Sequence, residues 1–168
     1  SEVQRSRHAR VACGQCHAEV NPGHERPCDA ITMPVTCAVC HEEAGTLFQR
    51  SVHGHLLAQG DANAPTCKEC HGTHGTLGRL DPRADTFPSN VPALCGRCHR
   101  QGEKAALRYR GSESSTVESY HESIHGKGLA KSGLTVTATC TSCHTAHQIL
   151  PASDPQATGR ALTDDERA

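Results

Sequence analysis

Apolar residues along this 168-residue chain come in short groups broken by polar residues, Gly and Pro, and none forms a run approaching 18 residues. Nothing in the sequence is therefore expected to span a membrane. Two segments, Ser51 to Gln59 and Ser119 to Lys131, read as helices with a histidine near the start. Short helical turns are expected after several Cys-rich motifs. Ala84 to Ala93 and Ile149 to Gln156 are Pro-rich and predicted to be extended. Leu107 to Tyr120 is polar and reads as a surface loop or helix lead-in. Few or no strands are expected beyond a small ribbon, so the fold class is mainly α and irregular.

Composition makes an ordinary core implausible. Aromatics are 2% of residues, Trp is absent and mean hydropathy is −0.55. A chain of this length normally buries more large apolar side chains than that. Cys, in contrast, is abundant, and ten of the eleven cysteines fall in five copies of Cys-x-x-Cys-His. These are Cys13–Cys16–His17, Cys37–Cys40–His41, Cys67–Cys70–His71, Cys95–Cys98–His99 and Cys140–Cys143–His144. With this composition, chance supplies on the order of a twentieth of one copy. Two thiols at this spacing can form thioethers to the two vinyl groups of one haem, and the adjacent histidine can then ligate its iron. Zinc uses Cys-x-x-Cys pairs but needs no histidine directly after each, and five pairs do not divide into two-pair sites. Disulfides leave the five histidines unexplained. Five haems c would serve as the core, at about 34 residues per haem.

The formal net charge is −1, so no basic footprint points to nucleic acid. Haem propionates would add up to about ten carboxylates and make the loaded protein acidic. Because c-type haem is attached outside the cytoplasm, the chain is expected to be exported, with its signal peptide removed, and to act in the periplasm or outside the cell.

The motifs belong to a repeat. Cys37-x-x-Cys-His41, Ser51-Val52-His53-Gly54, Cys67-x-x-Cys-His71, His74 and Asp81-Pro82 recur as Cys95-x-x-Cys-His99, Ser123-Ile124-His125-Gly126, Cys140-x-x-Cys-His144, His147 and Asp154-Pro155. The second unit carries an insertion of about 14 residues near Leu107 to Tyr120. The chain divides into a one-haem opening segment at 1–36, two-haem units at 37–94 and 95–155, and a tail at 156–168. The opening resembles the back half of a unit, with Ser6-Arg7-His8 in the Ser-x-His place and His24 in the place of His74. We call the first motif of each unit A and the second B.

Eight histidines lie outside the motifs. The repeat makes His53, His125, His74 and His147 candidate distal ligands, and His8 and His24 looser ones. His55 and His121 lack counterparts and read as neighbouring or surface residues. Met33 is the single thioether and Cys28 a spare thiol. His74 and His147 cannot reach the far side of the iron held three residues earlier. If the Ser-x-His residues serve B haems, His8, His53 and His125 cover the motifs at Cys13, Cys67 and Cys140. His24, His74 and His147 then compete for two A haems, and one of them is left over.

These elements together resemble the multihaem c-type cytochromes of anaerobic and extracellular respiration, from about Ser6 to Pro155. The resemblance implies short helices and loops wrapped round haems, irons held by two histidines, and electron transfer. The partners implied are other cytochromes or quinol-oxidising or terminal reductase complexes, with self-association into a haem chain also open. A reductase of nitrite, hydroxylamine or a sulfur compound is the alternative, and needs one open iron. Thirteen histidines can saturate every iron, so a carrier rather than an enzyme is expected.

Overall fold

A computed structural model of the chain describes residues 1–19, 33–108, 112–151 and 153–157. His24 and Cys28 lie outside the described residues. The fold is helical and irregular, with no strand among the described residues. Among the described residues eight short helices appear in chain order: α1 (Cys13–Cys16), α2 (Glu42–Gln49), α3 (Val52–Ala58), α4 (Cys67–His71), α5 (Val91–His99), α6 (Thr116–Glu122), α7 (Ile124–Ser132) and α8 (Cys140–His144). No helix among them is long and apolar enough to cross a membrane.

Helix α3 lies where the sequence places it, capped by Ser51. The helix expected from Ser119 to Lys131 is instead two helices, α6 and α7, broken at Ser123. Unit 1 is built the same way, with α2 before α3. The serine makes the corner. Ser51 Oγ donates to the Phe48 carbonyl (2.6 Å) and accepts from the Gly54 N–H (3.0 Å). Ser123 repeats this with the Tyr120 carbonyl (2.6 Å) and the Gly126 N–H (3.2 Å). The preceding helix is thus ended and the next one capped by a single hydroxyl. A Cβ on Gly54 would lie 2.1 Å from the Phe48 oxygen, and one on Gly126 2.2 Å from the Tyr120 oxygen. Ser-x-His-Gly is therefore a helix–helix corner that admits only glycine at its last position.

Ala84 to Ala93 is not extended throughout. A 3-10 turn at Pro88–Asn90 leads into α5, with Pro92 in its first turn. Proline there lacks an N–H that the helix would not have used, so it starts rather than breaks the helix. The insertion contributes 3-10 turns at Ala106–Arg108 and Ser112–Ser115 and the start of α6.

Little of this is held by apolar packing. Ala84, Val91, Ala106 and Val117 are the buried hydrophobic residues among those described, Val91 on α5 and Val117 on α6, two helices that pack together. The chain exposes 12240 Å², whereas a folded monomer of this mass normally exposes about 8,000 Å². The described residues alone do not close round a core.

Candidate functional site

The five motifs take two local forms. In the B forms, the residue before the second cysteine caps its own helix. Gln15, Glu69 and Ser142 accept from the N–H of Ala12 (2.9 Å), Thr66 (2.6 Å) and Thr139 (3.0 Å). Each B motif is thereby a self-contained turn that presents both thiols and the histidine. The A forms carry Val39 or Arg97 at that position. Cys37–Val39 forms a 3-10 turn, and the Cys95 motif ends the longer α5. All ten motif cysteines are free thiols.

The histidine rings form four pairs, each joining one motif histidine to one from outside the motifs. Ring centres are 6.1 Å apart for His41 and His8, 5.9 Å for His17 and His74, 6.1 Å for His99 and His53, and 6.0 Å for His71 and His147. Metal–imidazole bonds of about 2.0–2.1 Å on two faces of one metal place the ring centres roughly 6.4 Å apart. Contact between packed rings spans a similar range, about 4.5–7 Å. Proximity alone therefore does not separate the two; the consistent joining of motif to non-motif histidine does. His17 Nδ1 is also buried with no hydrogen-bond partner among the described residues, which is uncommon outside functional sites. The thiols beside each pair complete a donor set that fits one haem c.

The pairing follows a rule that differs from the sequence expectation. Histidines of Ser-x-His face the A motif of the next unit: His8 reaches His41 and His53 reaches His99. Histidines that follow a B motif face the B motif of the preceding unit: His74 reaches His17 and His147 reaches His71. Here His8 and His53 face A motifs rather than the supposed B motifs, and His74 and His147 face B motifs rather than A motifs. Backbone hydrogen bonds across the unit boundaries supply the reason. Arg7 N–H bonds the Thr76 carbonyl, and Val52 N–H bonds the Ile149 carbonyl, both at 2.8 Å. The corner that carries each histidine is tied to the following unit, so its ring is delivered there.

Three of the paired rings are pushed below the ordinary imidazole range. Burial lowers His71, with His147 and His41 adding to it. Burial and then His144 lower His99, and burial and then His99 lower His53. These rings are neutral at pH 7, the form that ligates metal. The same neighbours show which motifs adjoin. His41 lies near His71, and His99 near His144. Burial and then Cys67 raise the Cys37 thiol, whereas a hydrogen bond with Cys140 and then burial raise Cys95. Cys70 is raised by burial, with Glu69, Cys67 and Cys98 contributing. The motifs at Cys37, Cys67, Cys95 and Cys140 are neighbours in chain order.

His125 and His55 are exposed and face no ring among the described residues, and His121 sits beside Tyr120 at 5.7 Å. His144 also faces no ring among them. Sequence reasoning missed the serine corner and the capping residue of the B motifs. Both were visible as Ser-x-His-Gly and as Gln15, Glu69 and Ser142, all small or polar acceptors at helix-start positions. Comparison with protein-family models, curated proteins and solved structures finds no match.

Proposed function

We propose that the chain is an electron carrier holding five haems c, one on each Cys-x-x-Cys-His motif. The observation that carries this reading is the set of four facing histidine pairs, each 5.9–6.1 Å apart and each joining a motif to a non-motif residue. When bound, each haem supplies an iron that changes between ferric and ferrous. The cysteines would hold the groups covalently, and the paired histidines would ligate the irons, leaving substrate no access to those irons. Because ligation does not change with oxidation state, reorganisation stays small. Nitrogen ligands on both faces favour lower potentials than His/Met ligation. The adjoining motifs from Cys37 to Cys140 supply a route in chain order. Outside the cytoplasm, in anaerobic or extracellular respiration, such a carrier would pass electrons between other cytochromes or respiratory complexes.

His144 favours one alternative, a reductase working at an iron with one free face. Covalent haem is tested by mass and colour after denaturation: five haems per chain are expected, and a bare polypeptide mass overturns the reading. Carbon monoxide added to the reduced protein separates the two functions. The irons at His17, His41, His71 and His99 should refuse it; binding at several of them removes the carrier reading.

A further inference from the structure

The two junctions between units are built alike and charged differently. At the first, Ser6 Oγ donates to the Val3 carbonyl (2.8 Å) and accepts from the His8 N–H (3.0 Å). Arg7 is tied to Thr76, and a Cβ on Gly78 would lie 3.2 Å from Arg7 Cδ. Arg79, the next residue, therefore lies beside the segment that carries Arg5, Arg7 and Arg10. Turns closed by Ala9 on Ser6 and by Val11 on His8 keep that segment compact. All four arginines are exposed. None pairs with a carboxylate among the described residues, whereas Arg97 holds Asp85 at 2.8 Å and Lys127 holds Glu122 at 3.2 Å. Glu2 is the one acidic residue between Ser1 and Ala12. Leu80, beside Arg79, is 73% exposed.

At the second junction, Val52 is tied to Ile149 as Arg7 is to Thr76. In that register Val52, His55 and Ala152 hold the places of Arg7, Arg10 and Arg79, and only Arg5 keeps its charge, as Arg50. The second junction forms without those three guanidiniums, so the fold does not need them. Haem propionates do not explain them either. Both junctions bring together the same two kinds of histidine pair, and so the same complement of haems, yet one lacks the arginines. The cluster answers to something that meets the first junction alone.

We propose that Arg5, Arg7, Arg10 and Arg79 form the docking patch for an acidic redox protein, which exchanges electrons with the haems at Cys13 and Cys37. The inference rests on the haem reading above. Exposed guanidiniums suit carboxylates, and an arginine cluster edged by an apolar side chain has the make-up of a protein interface. With its propionates the loaded protein would be acidic as a whole. An acidic partner is then repelled from most of its surface and steered to this patch. Arg7 adjoins His8 and is tied to the loop that follows His74, so docking there sets the partner beside the pairs His8–His41 and His17–His74. The step is the passage of one electron: the partner's cofactor is oxidised and a ferric iron becomes ferrous, with no bond made or broken.

The test uses the purified protein after five haems have been counted, so a protein without haem fails the carrier reading before this one is reached. Stopped-flow reduction by the hydroquinone of a flavodoxin, a small acidic flavoprotein, is compared with reduction by the methyl viologen radical cation. The flavodoxin rate should fall as salt rises. The combined variant Arg7→Val, Arg10→Gln, Arg79→Ala takes two of its residues from the second junction. It should slow reduction by flavodoxin about tenfold at low salt and leave reduction by viologen no slower. Arg79→Ala alone should give a smaller loss of the same sign. Arg50→Gln, Lys104→Gln, Lys131→Gln removes as many charges elsewhere and should leave the flavodoxin rate unchanged. A flavodoxin rate that ignores the arginine variants overturns the proposal. So does an equal loss in both triple variants, which makes total charge the cause, or an equal loss with both donors. Midpoint potentials that shift enough to account for the slower rate would assign the arginines to propionates and overturn it too. Any of these in a five-haem protein ends this inference while leaving the carrier function standing.

Discussion

Thr145 is the one non-glycine residue with positive φ among those described, at φ 63° and ψ 175°. Its counterpart in unit 1 is Gly72, at φ 74° and ψ −171°. This region is open essentially to glycine alone, and holding another residue there costs about 1–3 kcal/mol. Thr145 lies between His144 and His147, so the strain is held between two candidate ligands. Thr145→Gly should raise stability by about 1 kcal/mol after the glycine's own entropy cost. Gly72→Thr should lower it; thermal melts of the two variants check the sign. The serine corner gives a sharper case. Gly54→Ala drives a methyl group into the Phe48 carbonyl, and should cost about 3 kcal/mol or more. Because the same corner aims His53 at His99, the variant should also disturb the spectrum of a single haem. His53→Met, which replaces one nitrogen donor by a thioether, should raise the potential of the Cys95 haem and leave the others. A redox titration with all five midpoints unchanged would remove His53 from the ligands.

Between elements, polar ties replace a core. Arg108, in the insertion, holds Asp61 after α3, with Nη2 2.8 Å from Oδ1. The Arg108 guanidinium holds the Asp61 carboxyl down at about 2, below its ordinary 3.8. A lowered acid contributes stability that is full above the ordinary value and is lost as pH falls through the lowered one. The tie should therefore persist at pH 4 and fail between about 3.8 and 2. Asp61→Asn should flatten stability against pH in that window, read by denaturant melts. Salt should weaken the tie, since the pair is partly exposed. The insertion is thus more than a surface loop: it links the two units near the α5–α6 cluster.

At the scale of the whole molecule, the described residues bury four apolar side chains and the chain exposes an excess of surface, so a bound group is expected to complete the fold. Expressed without haem attachment, it should lack a cooperative melt and digest rapidly with protease, by the linkage that makes binding energy into folding energy. A cooperative apo transition would show that the polypeptide folds alone. The loaded protein should keep its colour when denatured.

The sequence by itself determined the five Cys-x-x-Cys-His motifs, the two-unit repeat, the lack of strands among the described residues and the helix at Ser51. Each follows from spacing or from side-chain and backbone preferences acting within a few residues. It determined the type of His53, His74 and His147 as candidate ligands, but not what they face. That was decided across unit boundaries, by the bonds from Arg7 to Thr76 and from Val52 to Ile149, which join residues far apart in the chain. The split of one expected helix into α6 and α7 is of the same kind. Ser119 to Lys131 reads as one helical segment, but Ser123 satisfies the Tyr120 carbonyl and the Gly126 N–H at once and turns the chain. Local chemistry marks the candidate ligands; only the packing of one repeat against the next decides which rings face each other.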